Sequence, residues 1–151
     1  MTELLIRPCG MSDHAACLDV WLRASRVGHP FLTDQDLAGQ WKLVRDVYLP
    51  NAETWVAVAA GCIVGFIGLL DRHIGGLFVD PRHHGMGVGR RLVAHAARLK
   101  GPLTVQVYEA NRAVGFYLRC GFRITGRQER DDEGRALPLL ALRLEPPTAQ
   151  P

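Results

Sequence analysis

A glycine-rich turn between a strand-like and a helix-like segment constrains the fold of this chain more than any other feature. The turn, Gly85 to Gly89, carries glycine at alternate positions and follows the apolar segment Ile74 to Val79. After it, apolar residues recur at the spacing of one helical face; they are Val88, Leu92, Val93, Ala96 and Leu99. This order predicts a strand, a tight turn and an amphipathic helix that packs on a sheet.

The turn also has the features of a phosphate-binding site. Glycine lets the backbone approach a ligand closely, and the first N–H groups of the following helix point into the same concavity. Arg90 and Arg91 lie in the first helical turn, and Arg82 lies just before the glycines. Cations at a helix N-terminus are unfavourable unless an anion is near, and a bound polyphosphate would remove that conflict. The alternative is that the glycines only shape a tight connection; a P-loop is excluded, because no Gly-Lys-Ser/Thr occurs here.

The apolar pattern of the whole chain predicts a strand, two helices, three strands, a helix, a strand, a helix and two strands. The second helix is expected to be capped by Asp34 and to end near Leu49, and Asp131 to Gly134 is expected to form an exposed turn between the last two strands. Strands around single helices favour an α/β fold with a mixed sheet covered on both faces. We predict one domain, residues 3–145, followed by a frayed tail, residues 146–151.

Composition argues against several classes of protein. A formal net charge of +3 predicts no broad basic surface, so nucleic acid is not an expected partner. No stretch approaches the roughly 18 apolar residues of a membrane span, and the first residues do not resemble a signal peptide. The four cysteines show no C-x-x-C spacing, which gives no indication of a metal site and suits a reducing cytosol. We therefore predict a cytoplasmic protein without a metal.

Two motifs resemble those of the GCN5-related N-acetyltransferase (GNAT) family. The segment Asp80 to Leu92 resembles the acetyl-CoA motif of that family, Arg/Gln-x-x-Gly-x-Gly/Ala, and Gly115 to Phe122 resembles its second signature, F-Y-x-x-x-G-F. The resemblance covers residues 3 to 145 and is closest to small, single-domain bacterial members. It implies a central mixed, mostly antiparallel sheet of about seven strands, with about four helices on both faces and a splayed parallel strand pair.

The resemblance also implies a cofactor site. The strand before the turn would pair with the pantetheine arm of acetyl-CoA through Leu77, Phe78 and Val79, and the turn would hold the pyrophosphate. The turn residues concerned are His84, Gly85, Met86, Gly87, Val88, Gly89 and Arg90. His84 stands where the family usually has Arg or Gln. Asn111 lies one residue later than the usual pantetheine-binding Asn, so it either contacts pantetheine or caps the helix that follows.

Tyr117 matches the general acid of the family. A phenol with a pKa near 10 is a weaker acid than a thiol with a pKa near 8.5, so hydrogen bonding to the departing sulfur is the role we expect. The acceptor amine must be neutral to react, and Glu109 is the first candidate for the base that removes its proton. Asp71, His73 and His29 are the alternatives. His29 and Phe31, in the loop before the second helix, are expected to bind the acceptor.

The predicted function is transfer of the acetyl group of acetyl-CoA to a primary amine, directly within a ternary complex. Acetyl-CoA is the cosubstrate, and the acceptor is a small molecule, a protein lysine or a protein N-terminus. The alternative is a non-catalytic acyl-CoA sensor or regulatory module, which would keep the glycine turn but have no need for Tyr117. No membrane partner is expected. A homodimer is a possible oligomeric state, because members of the family are often dimers.

Overall fold

One seven-stranded sheet forms the centre of the protein. A computed structural model describes residues 3–145, and the predicted tail, residues 146–151, lies outside the described residues. The spatial order of the strands is β1-β2-β3-β4-β5-β7-β6. The strands are β1 (Leu4–Pro8), β2 (Glu53–Ala59), β3 (Cys62–Leu70), β4 (His73–Val79), β5 (Leu103–Tyr108), β6 (Arg123–Gln128) and β7 (Leu139–Leu144).

Among residues 3–145, four helical bodies cover the sheet. They are α1 (His14–Gly28), α2 (Asp34–Leu43) with its continuation into the short α3 (Leu49–Asn51), α4 (Val88–Lys100) and α5 (Ala113–Arg119). The continuation between α2 and α3 is a π-helical turn, Val44–Tyr48, where the sequence predicted an uninterrupted helix. None of the helices in residues 3–145 is long and apolar enough to cross a membrane.

A capping box fixes the start of α2. The Asp36 N–H donates to Thr33 Oγ1 at 3.0 Å, and the Thr33 N–H donates to Asp36 Oδ2 at 3.1 Å. Both groups are among the N–H donors that a helix start leaves without partners, so the reciprocal pair stabilises this end. Thr33 therefore caps the helix one residue before Asp34, the cap that the sequence predicted.

The sheet separates two apolar clusters. On one face, α4 and α5 bury their apolar sides against β3 and β5, with Leu92, Ala96 and Leu103 fully buried. On the other face, α1 and α2 pack against the opposite side of the same sheet around Trp21 and Phe66. Successive strand residues face opposite sides of the sheet. The central strands contribute apolar residues to both clusters, so they are apolar on both faces. This arrangement confirms the predicted mixed sheet with helices on both faces.

The parallel pair β4–β5 is the feature that positions the site. Within residues 3–145 these strands pair only at His73↔Thr104 and Ile74↔Val105, whereas β3 remains paired with β4 as far as Val79. The edge of β4 that faces β5 is therefore open beyond Ile74. This wedge, defined by residues 75–79 of β4 and the facing part of β5, confirms the predicted splayed pair.

Candidate functional site

The glycine turn joins the open end of β4 to α4. Gly85 and Gly87 both have φ of 80°, in the left-handed region that favours glycine, and a Cβ on either would meet no atom within 4 Å. Both residues are exposed, as are His84, Met86 and Arg90. The first N–H groups of α4 have no acceptor within the helix and lie at its positive end. The turn is an open, backbone-lined cradle for an anion, and its residues fit a pyrophosphate.

Gly89 has a different role in the turn. It is buried, and a Cβ there would lie 3.1 Å from Phe116 Cζ. The absence of a side chain therefore lets α4 approach the Phe116 ring of α5. Val88 is also buried and packs against Gly65 of β3. Of the three glycines in the motif, Gly85 and Gly87 form the exposed cradle, whereas Gly89 lets α4 of the first motif pack closely against α5 of the second.

A buried carboxylate organises the chain just before the turn. Asp80 is 1% exposed and accepts hydrogen bonds from Arg82 at 2.7 Å and from Arg23 of α1 at 3.0 Å. These contacts, first those with Arg82, hold the pKa of Asp80 well below its usual range. The sequence analysis named Arg82 among the cations next to the turn, and in the structure its guanidinium is paired with Asp80. Arg90 and Arg91 are the exposed cations in the first turn of α4.

His84 and Asn111 each make a local contact. His84 Nε2 lies 3.2 Å from the carbonyl oxygen of Val79, the last residue of β4. Asn111 Oδ1 accepts a hydrogen bond from the Ala113 N–H at 2.8 Å, and its side chain also lies against Gly28 of α1. The side-chain oxygen of Asn111 therefore caps α5, which favours the capping alternative. A contact of either residue with a cofactor stays a prediction.

The side chains of residues 77–79 of β4 point alternately to the two faces of the sheet. Leu77 and Val79 pack against the cluster that contains Tyr117 and β5, whereas Phe78 packs against Trp21 and Phe66 on the other face. The backbone edge between these side chains faces β5. A pantetheine arm could pair with this edge as a strand would, which is the role that the sequence predicted for residues 77–79.

Tyr117 lies in the core beside the wedge. Its ring is 4% exposed and makes edge contacts with Phe116 and Phe122, with ring centroids 5.2 and 5.1 Å apart. Burial raises the pKa of the phenol. A raised pKa makes full proton transfer to a thiolate less favourable, so this geometry suits a hydrogen-bond donor better than a strong acid.

The two predicted acceptor residues come together with a third aromatic residue. His29 and Phe31, from the loop after α1, contact each other and the ring of Tyr108 at the end of β5, with ring centroids 5.2–5.7 Å apart. Burial lowers the pKa of His29 to about 4, so its imidazole is neutral at pH 7. Sequence analysis did not identify Tyr108, because the residue is simply the last one of a segment with a strand-like alternating pattern.

A polar network holds this aromatic cluster in place. The Tyr108 hydroxyl donates to Asp131 Oδ2 at 2.9 Å, and Arg135 donates both to Asp131 and to Asp36 of α2, each at 3.0 Å. Burial alone would raise the pKa of Asp131, but the hydrogen bonds from Arg135 and Tyr108 outweigh it and lower that pKa. The prediction of an exposed turn at residues 131–134 was wrong for Asp131, which is 6% exposed, whereas residues 132–134 are exposed.

The candidate bases occupy different surroundings. Glu109 is half exposed and accepts a hydrogen bond from Arg127 of β6 at 2.7 Å, which lowers its pKa. His73 Nδ1 lies 2.8 Å from Thr104 Oγ1 at the closed end of the wedge, and burial lowers its pKa. Asp71 is exposed in the turn before β4. The role of Glu109 as the base stays a prediction.

The wedge and the cradle together define a class of acyltransferase, in which a strand edge and a helix N-terminus bind the two parts of one donor. The family model described as the acetyltransferase (GNAT) domain matches residues 50–124. The peptidyl-lysine N-acetyltransferase YjaB of Salmonella typhimurium LT2 is 45% identical over 125 residues, which cover 82% of this chain and 86% of that protein. The chain belongs to the GCN5-related N-acetyltransferase family.

Other comparisons agree with this assignment. The peptidyl-lysine N-acetyltransferase YiaC of Escherichia coli K12 is 34% identical, over 80% of this chain and 84% of that protein. The solution structure of the apo form of YjaB from Escherichia coli has a TM-score of 0.85 at 40% identity and covers 93% of this chain and 97% of that one. The N-acetyltransferase PaiA from Thermoplasma acidophilum, solved with coenzyme A, shares the fold with a TM-score of 0.77 at 13% identity, over 95% of this chain and 99% of that one.

These comparisons confirm the predicted family, the predicted fold and the predicted class of enzyme, an N-acetyltransferase. They do not favour the alternative of a non-catalytic sensor, because the named relatives are N-acetyltransferases. Within residues 3–145, no group of three or more His, Cys, Asp or Glu side chains is placed to hold a metal ion.

Proposed function

We propose that this protein transfers the acetyl group of acetyl-CoA to the side-chain amine of a protein lysine. The observation that carries the proposal is the junction of the open β4 edge with the left-handed glycines Gly85 and Gly87. The β4 edge would bind pantetheine, and the turn would bind the pyrophosphate. The lysine acceptor is supported by the names of the relatives YjaB and YiaC. The catalytic domain comprises residues 3–145.

Acetyl-CoA brings an activated thioester when it binds, and the residues of this chain orient it. Leu77, Phe78 and Val79 fix the arm along β4, and the Tyr117 hydroxyl donates a hydrogen bond to the sulfur as negative charge develops there. The acceptor enters past His29 and Phe31. Glu109 receives the proton of the amine, directly or through water.

The surroundings of the cysteines favour direct transfer of the acetyl group within a ternary complex. All four cysteines are free thiols, Cys17 is buried, and none has a base in hydrogen-bond contact among residues 3–145. A covalent acyl-enzyme needs an activated nucleophile. A cytoplasmic location and a homodimer remain predictions from the sequence and the family.

The test is a turnover assay with acetyl-CoA and a lysine-containing peptide. Release of the coenzyme A thiol should depend on the peptide, and mass spectrometry should show one acetyl group on the peptide lysine. An arginine-for-lysine peptide is the control. Absence of thiol release with lysine peptides, N-terminal peptides and small amines alike would reject the function.

A further inference from the structure

Helix α1 crosses the open end of the wedge, from β4 to the end of β5. Its Trp21 packs against Phe78 of β4, with ring centroids 6.4 Å apart. Its last residue, Gly28, lies against Asn111 in the connection between β5 and α5, because a Cβ on Gly28 would be 3.6 Å from Asn111 Nδ2. Among residues 3–145, β4 and β5 are hydrogen-bonded to each other only at the closed end of the wedge. The helix therefore connects the two strands at the end where they are not paired.

The contact of α1 with the end of β4 is an ion pair. Arg23 donates to Asp80 Oδ2 through Nε at 3.2 Å and through Nη2 at 3.0 Å. Asp80 directly follows β4, and its N–H donates to the carbonyl oxygen of Val64 in β3 at 2.8 Å. Charge-assisted hydrogen bonds from a guanidinium are short and directional, and this carboxylate is buried. The ion pair therefore fixes the end of β4 relative to α1.

The contact of α1 with the end of β5 is aromatic. His29 follows the helix and donates its N–H to the Ser25 carbonyl oxygen at 2.8 Å. The His29 ring contacts Tyr108, the last residue of β5, with centroids 5.4 Å apart. A helix rises about 1.5 Å per residue, so the stretch from Arg23 to Gly28 is roughly 7.5 Å long. Paired strands are only about 4.8 Å apart, so a helix fixed at both points holds β4 and β5 apart.

The charge of Asp80 is already balanced by a residue near it in the chain. Arg82 donates to the Asp80 carboxylate through Nε at 3.1 Å and through Nη2 at 2.7 Å, and its N–H donates to Oδ1 at 3.0 Å. These bonds form within one short segment. Arg23, 57 positions away from Asp80, adds a connection between two separate elements of the fold. Its contribution is therefore positional as well as electrostatic.

We propose that Arg23 is a positioning residue for the acetyl donor, because its ion pair with Asp80 sets the width of the wedge. The inference rests on the proposed function, which assigns the wedge to the pantetheine arm. The arm must lie between β4 and β5. If the end of β4 can shift relative to β5, donor binding must also order that segment, and the ordering lowers affinity. Arg23 acts through β4 and makes no contact with the donor itself.

The test measures the Kd of acetyl-CoA by calorimetry in Arg23→Gln, which removes the ion pair and keeps a polar side chain. Coupling between a remote residue and a binding site typically changes affinity about fivefold or more, so we expect Kd to rise at least fivefold. The KM for acetyl-CoA should rise as well. The KM for the lysine peptide should stay within twofold, because α1 keeps its contacts with the end of β5.

Arg23→Lys is the conservative variant. Lysine keeps the positive charge beside Asp80 but lacks the planar fork of donors that arginine presents. Its Kd for acetyl-CoA should therefore lie between those of the wild type and Arg23→Gln. Thermal unfolding checks that each variant is folded. If Arg23→Gln is unfolded, Arg23→Lys decides, and a Kd equal to that of the wild type would contradict the inference.

Arg7→Gln is the matched control. Arg7 is 40% exposed and pairs with Asp13 at 2.8 Å, whereas Arg23 is 42% exposed and pairs with Asp80 at 3.0 Å. Arg7 lies on β1, with β2 and β3 between it and β4. Loss of this ion pair should leave the Kd for acetyl-CoA within twofold.

The outcomes separate this inference from the proposed function. An unchanged Kd in a folded Arg23→Gln would overturn the inference and leave the proposed function intact. Equal losses of affinity in Arg7→Gln and Arg23→Gln would also overturn it, because affinity would then follow general stability and not the width of the wedge. No binding of acetyl-CoA by the wild type would instead reject the proposed function, and the inference with it.

Discussion

Replacement of Gly87 by alanine separates the role of the glycine turn in ligand binding from its role in the fold. Gly87 has φ of 80° and ψ of 10°, and a Cβ there meets no atom within 4 Å. Gly134, in the connection between β6 and β7, has φ of 82° and is equally open. The variants Gly87→Ala and Gly134→Ala therefore impose similar backbone strain, but the first lies in the proposed pyrophosphate site and the second does not.

The expected magnitudes differ for folding and for binding. A residue with a Cβ loses about 1–2 kcal/mol in the left-handed region, and both variants should lose about that much free energy of unfolding. In a chain of this size the melting temperature then falls by about 2–8 °C. At Gly87 the methyl group would also stand in the proposed pyrophosphate site. One hydrogen bond to a charged group contributes about 1.5–3 kcal/mol, so its loss weakens binding about tenfold or more.

Isothermal titration calorimetry with acetyl-CoA, together with thermal unfolding, measures both effects. We expect similar losses of melting temperature in the two variants and a Kd at least tenfold higher in Gly87→Ala alone. An unchanged Kd in Gly87→Ala would refute the assignment of the turn to the pyrophosphate. A matching loss of affinity in Gly134→Ala would show that strain, and not the location of the methyl group, had weakened binding.

Three further predictions concern the acid, the neutral histidine and the polar network. Tyr117→Phe should lower kcat about 100-fold and leave the Kd for acetyl-CoA within twofold; an unchanged single-turnover rate would exclude Tyr117 from the chemistry. Because the folded pKa of His29 is depressed to about 4, its stabilising contribution is present above pH 6.5 and is lost as the pH falls. Urea unfolding should show a loss of about 2 kcal/mol from pH 7.5 to 5 in the wild type beyond that in His29→Phe, and equal losses would contradict it. Tyr108→Phe removes one donor to the buried Asp131 and should lower the free energy of unfolding by about 1.5 kcal/mol, which the same assay detects; an unchanged value would mean that the hydrogen bond is not stabilising.

Helices and strands whose ends are marked by nearby residues, such as glycine, were predicted well from the sequence. The glycine turn and Gly101 predict where helix α4 begins and stops, and its observed range, Val88–Lys100 with Gly101 as the C-cap, agrees with that prediction. The π-helical turn Val44–Tyr48 left no comparable signal, because its residues keep the helical apolar pattern. The sequence predicts the last two strands over residues 122–130 and 137–144, and β6 and β7 are shorter. The loop between them is built around Asp131 and not around a tight turn.

The unpredicted parts of the site depend on distant partners. Arg23 donates to Asp80 across 57 positions, and Arg135 donates to Asp36 across 99 positions. No spacing rule covers such separations.

The donor side and the acceptor side of the proposed site are formed by the chain in different ways. This difference explains why the donor was easier to predict from the sequence than the acceptor. The proposed pyrophosphate cradle consists of backbone amides, whose geometry is set by a few consecutive residues, so a short motif is sufficient. The proposed acceptor side is built from side chains of the loop after α1, the end of β5 and the β6–β7 connection, joined through Tyr108, Asp131 and Arg135. Each of these segments can vary without changing the cradle. Acceptor specificity in this enzyme must therefore be tested by exchanging residues of these three segments together, since a change in one of them removes a partner of the others.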